Sequence, residues 1–126
     1  MFKNDHEVLY LYFCPSPFKE INGSVNIQVP FRVDDNVYLA LVREAFEKWP
    51  MCFRPEMIFW NWGYDGTKGE YGDLGLTPDV HLKLATDIKQ LAVRICHGRE
   101  VVVLCGGSSR DLASLLIPAI IKILSN

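Results

Sequence analysis

Glu100-Val101-Val102-Val103-Leu104-Cys105-Gly106-Gly107-Ser108-Ser109-Arg110 runs from an apolar, β-branched segment through paired glycines and serines toward a long apolar tail. Three valines and a leucine favour a buried strand, the glycines turn the chain, and a serine oxygen can cap the helix that follows. That helix is expected over Arg110 to Leu124, apolar on nearly every side and with Pro118 inside it. A strand passing through a tight turn into a helix is the building unit of a parallel α/β sheet.

The same unit recurs upstream. Met57 to Trp60 reads as a buried strand after Pro55, and a polar, glycine-bearing stretch follows it. Thr77-Pro78 then opens the clearest helix, with His81, Leu84, Ala85, Ile88, Leu91, Ala92 and Ile95 at three- and four-residue steps and Gly98 as its stop. Further back, Asp34-Asp35-Asn36 offers caps for a helix whose apolar positions Val37, Ala40, Leu41, Ala45 and Phe46 run until Trp49-Pro50. Val8 to Phe13 is an apolar, aromatic strand, and Val25 to Phe31 a shorter one that Pro30 makes edge-like; a loop rich in Pro, Ser, Asn and Gly joins them. The order predicts an α/β fold, three layers α/β/α around a mainly parallel sheet, in one domain over residues 1–126. Ligands of such sheets bind beyond the carboxyl ends of the strands, which directs attention to residues 61–76 and 105–110.

The composition agrees with this reading and narrows the function. The chain has 126 residues, 49% of them hydrophobic and 22% charged, enough to bury a core without staples. A net charge of −2 leaves no basic excess for nucleic acid. Cys14, Cys52, Cys96 and Cys105 form no C-x-x-C pair and read as reduced thiols. The charged Met1–Glu7 start is no signal peptide and no apolar run reaches membrane-spanning length, so the expected location is the cytoplasm, away from membranes.

Asp65 stands just beyond a strand between Gly63 and Gly66, where a carboxylate can bind a metal, act as a base, or simply close a turn onto its own backbone. Gly106-Gly107-Ser108-Ser109 offers backbone amides at a helix start, suited to an anion or a polarised carbonyl and equally to plain capping. It lacks Walker-loop spacing, which argues against a flavodoxin-like nucleotide binder. Cys105 is placed as a nucleophile would be, or is merely buried. His81 and His97 fit structural roles. Trp49, Phe59, Trp60, Trp62 and Tyr64 would line an apolar channel or fill the core.

In order along the chain, these segments resemble the C-terminal part of the histone deacetylase, acetoin-utilisation and acetylpolyamine amidohydrolase family, of the arginase-like fold. Phe2-Lys3-Asn4-Asp5-His6-Glu7-Val8-Leu9-Tyr10 is similar to F-x-x-D-x-x-V-L-Y, and Val25-Asn26-Ile27-Gln28-Val29-Pro30 to N-V-x-V-P. Arg54-Pro55-Glu56-Met57-Ile58 resembles K-P-D-L-V, and Gly63-Tyr64-Asp65 resembles G-F-D. Gly75-Leu76-Thr77 and Leu104-Cys105-Gly106-Gly107 resemble G-L-x-L-T and L-E-G-G-Y.

The resemblance implies that Asp65 is a zinc ligand and that Gly106 and Gly107 border the substrate. It also implies departures: the D-x-H ligand pair and the catalytic histidines belong upstream of the matched segments, and Ser108 stands where the family has its oxyanion-supporting tyrosine. A deacetylase-family fragment or split subunit is therefore expected, inactive alone, with zinc bound only if a complementary deacetylase-like chain supplies the missing ligands. The alternative is a noncatalytic module that self-associates or binds a protein or anion at the Gly106-Gly107-Ser108 turn. The apolar last helix predicts a homodimer in either case.

Overall fold

The computed structural model describes residues 5–16 and 24–126. The beginning of the Phe2–Tyr10 segment and most of the Pro- and Gly-rich stretch expected as a loop lie outside the described residues. The elements run β1 (Tyr10–Cys14), β2 (Ser24–Gln28), α1 (Asp35–Phe53), β3 (Ile58–Gly63), α2 (Pro78–Cys96), β4 (Glu100–Gly106) and α3 (Arg110–Ser125). All pairing is parallel: β1 with β2, from Tyr10 opposite Ser24 to Cys14 opposite Gln28, and β3 with β4, from Ile58 opposite Glu100. The α/β class and parallel pairing agree with the sequence, but the strands form two separate two-stranded sheets among the described residues.

Two core clusters join these pieces. Val29 and Val33 after β2, Leu39 and Val42 of α1, and Leu76, Val80 and Leu84 around α2 form the first, with Phe13 of β1 and Trp60 of β3 packed on it. Trp62 and Tyr64, Ala85 of α2, and Leu116 and Ile120 of α3 form the second, together with Val102 of β4. Trp60 touches both clusters, so α1, α2 and α3 all cover the side of the strands that carries Trp60, Trp62 and Val102.

The helices start much as their capping residues dictate. Asp34 accepts from the Asn36 amide at 2.8 Å to open α1, and Ser109 from the Leu112 amide at 3.2 Å to open α3. At α2, Pro78 occupies the first turn as expected, yet the Thr77 side chain caps nothing. Its hydroxyl and its amide both donate to the Asp35 carboxylate, tying the starts of α1 and α2 together.

Other details depart from the expectation. Helix α1 continues past Trp49-Pro50 to Phe53. Pro50 removes only its own N–H from the ladder, and its carbonyl still accepts from Arg54 at 2.8 Å, where a left-handed residue ends the helix. The buried stripe of α1 is Leu39, Val42 and Ala45, while Val37 and Ala40 face outward. At the end of α2 the left-handed turn begins at His97 (φ 58°), one residue before Gly98.

Candidate functional site at the carboxyl ends of β3 and β4

Strands β3 and β4 end side by side, with Gly63 opposite Gly106 after a register shift that leaves Cys105 as the extra residue. The chain then enters the two loops that the sequence had marked. The first is more ordered than its glycines imply: Thr67 N–H donates to the Tyr64 carbonyl, Gly72 to Asp65, Leu74 to Gly66 and Lys68 to Leu76. It folds back on itself and brings residues 65–72 over the end of β4.

Asp65 stands at the centre. A Cβ on Gly106 would lie 2.6 Å from Asp65 Oδ1, one on Gly72 would lie 3.0 Å from Oδ2, and one on Gly63 would clash with Oδ1 outright. Three glycines thus make room for one carboxylate. Among the described residues no hydrogen bond reaches that carboxylate, so the side-chain turn onto its own backbone is not formed; only its carbonyl is used, by Gly72.

The negative charge of Asp65 is felt by the partly buried Tyr38 and the buried His81. The Tyr38 phenol is pushed up to about 12, first by burial and then by Asp65. The His81 imidazole is pushed down to about 4 by burial, with Asp35 and Asp65 pulling the other way. His81 lies between Trp62 and Thr67. The Trp62 indole can only donate, so at 3.2 Å it fixes His81 Nδ1 as an acceptor, and Nε2 then carries the proton toward Thr67 Oγ1 at 2.9 Å. The structural role expected of His81 is thereby specified: it is a neutral, buried ring with both nitrogens partnered.

The paired glycines have separate reasons. Gly106 leaves space for the Asp65 carboxylate, while Gly107, at φ +116°, lies against the Tyr64 ring, which any side chain there would strike. The amides of this turn are already engaged. Gly107 N–H donates to the Tyr71 hydroxyl at 3.1 Å, Ser108 N–H to Glu70 Oε2 at 2.8 Å and Ser109 N–H to Glu70 Oε1 at 2.9 Å. Ser108 Oγ adds a fourth bond, to Glu70 Oε2 at 2.9 Å. Glu70 is thus an internal anion at the start of α3, and the bonds from Ser108 and Ser109, that from the Ser108 amide foremost, hold its carboxyl below the ordinary value.

Sequence reasoning singled out neither Glu70 nor Tyr71. The signal was there in weak form: an acidic residue in one ligand-end loop facing unpaired amides in the other. The Tyr71 ring is largely exposed, but its hydroxyl comes 3.1 Å from the point where a Gly106 Cβ would stand, and so borders the Asp65 carboxylate. Cys105 is exposed with its thiol turned to the Val103 carbonyl at 3.4 Å. Trp60, Trp62 and Tyr64 meet in sequence as tilted ring pairs, with 5.9 Å between neighbouring centroids, and Trp62 and Tyr64 are buried in the core.

A family model described as the histone deacetylase domain matches residues 18–124, most of the chain and both loops of this site. The chain belongs to the histone deacetylase family. A solved structure with the same fold is the HDA15 HD domain, at a TM-score of 0.68 and 21% sequence identity. The match takes in 98% of this chain but 39% of that one, so this deacetylase-family chain spans well under half the length of that relative. No curated protein matches it.

Membership implies zinc, and the donor set can be judged against that. Asp65 fits one ligand position, since its carboxylate takes no hydrogen bond among the described residues and the glycines keep the space around it clear. The rest of a centre is missing: no group of three or more His, Cys, Asp or Glu residues that could hold a metal occurs among the described residues. The described residues do not fit a zinc ion by themselves.

Proposed function

We propose that this chain is the rear portion of a deacetylase-family amidohydrolase domain, contributing Asp65 as a carboxylate ligand to a zinc site that the remaining portion of such a domain completes. The observation that carries this is the Asp65 carboxylate, which takes no hydrogen bond among the described residues and is cleared by Gly63, Gly72 and Gly106 at the strand ends. Gly106 and Gly107 would border the substrate, and the chain alone would not hydrolyse an amide, because one carboxylate cannot supply the three protein ligands of a catalytic zinc.

In that reading the chain's own groups prepare the site. Glu70 and Tyr71 fix the Gly106–Ser109 turn beside Asp65, and the buried Trp62–His81–Thr67 bonds tie the end of β3 and the loop after it to α2. The alternative, an anion-binding module at the turn, gains nothing from amides that Glu70 and Tyr71 already hold. Co-expression with a D-x-H-bearing deacetylase portion should give zinc-dependent hydrolysis of an acetylated lysine peptide. Asp65→Ala should abolish it, and hydrolysis unaffected by that substitution would overturn the proposal.

A further inference from the structure

Strand alternation gives β3 and β4 two unlike faces. Trp60, Trp62 and Val102 point into the core beneath the helices, whereas Phe59, Val101 and Val103 on the other face remain 65%, 39% and 42% exposed. The register sets Phe59 beside Val101 and Asn61 beside Val103, which makes a continuous patch with a single polar side chain among these four. In the other sheet Tyr12, on the strand side opposite Phe13, is also exposed. A parallel sheet is ordinarily covered on both faces, and a lone two-stranded sheet is marginal in water. Among the described residues every helix covers the same side, and no layer covers the other.

We infer that this bare face is the docking surface for the complementary portion of the deacetylase domain, which lays an apolar layer over Phe59, Val101 and Val103. The inference rests on the split-domain reading above and adds where the two portions meet. The matched share supports this occupant: 98% of the chain aligns with 39% of a deacetylase domain, so most of such a domain is available to supply the layer. A second copy is a poorer fit through its α1–α2 surface, which carries the ion pairs Arg43–Asp87 and Arg94–Glu47. Charges of that kind lose hydration against an apolar sheet without gaining partners.

Photo-crosslinking in the source cells tests this, with Phe59→p-benzoylphenylalanine on the bare face and Val93→p-benzoylphenylalanine on the exposed side of α2 as a control. Both positions are open to solvent, and circular dichroism would verify that the variants fold. The expected crosslink from position 59 is to a peptide of a D-x-H-bearing deacetylase portion, on the same or another polypeptide. Val101→Asp should lower its yield by about tenfold or more, and position 93 should be silent. A crosslink from 59 to a second copy or to an unrelated protein would overturn the inference. Capture of the deacetylase portion from 93 alone would overturn the docking face and leave the split-domain reading standing; no such capture from either position would remove both.

Discussion

Glu70 closes the turn at Ser108 by accepting from both its amide, at 2.8 Å, and its hydroxyl, at 2.9 Å, and so links the loop after β3 to the start of α3. Its carboxyl is held below the ordinary value, so this contribution is complete above the unfolded glutamate pKa and is lost as pH falls through the lowered folded one. Glu70→Ala should lower the thermal midpoint and speed hydrogen exchange at the Ser108 and Ser109 amides. Unchanged exchange would show that the carboxylate does not hold the turn.

His81 supplies a second acid-sensitive element. Its folded pKa of about 4 lies below the unfolded value of 6.5, so the unfolded chain takes up the proton first. Stability is therefore full above about pH 6.5 and falls between there and about pH 4, the loss reaching roughly 3 kcal/mol only below the folded pKa, where the folded ring is protonated as well. Urea unfolding at stepped pH should show this slope, and NMR should find the His81 ring neutral at pH 5. A ring that titrates near 6.5 would contradict the Trp62–His81–Thr67 arrangement.

Asp65 and Tyr38 are coupled through charge. Burial is the larger reason that the Tyr38 phenol is raised to about 12, and Asp65 adds to it. Asp65→Asn should bring the phenol pKa down while leaving it above 10, as followed by ultraviolet absorbance. An unchanged titration would place the carboxylate away from Tyr38.

The glycines differ in what a methyl group would cost. Gly69, at φ +89°, has nothing within 4 Å of the point where a Cβ would stand, so Gly69→Ala should cost about 1–2 kcal/mol through the backbone alone. Gly107 combines φ +116° with the Tyr64 ring, and Gly107→Ala should cost about 3 kcal/mol or more. Chemical denaturation of the two variants would measure both, and equal losses would count against packing of Tyr64 on the turn.

Capping and periodicity made much of the fold legible in the sequence. Asp34, Ser109 and Pro78 mark helix starts, and the α2 stripe from His81 to Ala92 is buried as its spacing predicts. For α1 the spacing was ambiguous, because apolar residues occupy two sides. Packing against Val80 and Leu84 selected Leu39 and Val42 over Val37 and Ala40, a choice that depends on a neighbour distant in sequence.

At the site, the sequence by itself determined that Asp65 and the Gly106-Gly107 turn follow strands, and parallel pairing brings such strand ends together. Only the tertiary structure decided what those glycines exclude and what fills the turn. Gly106 clears the Asp65 carboxylate, Gly107 clears the Tyr64 ring, and Glu70 takes the Ser108 and Ser109 amides. Local sequence sets backbone preference residue by residue, whereas these contacts join residues 38 to 43 positions apart, which share no helical or strand period and meet only where the two loops are folded against each other.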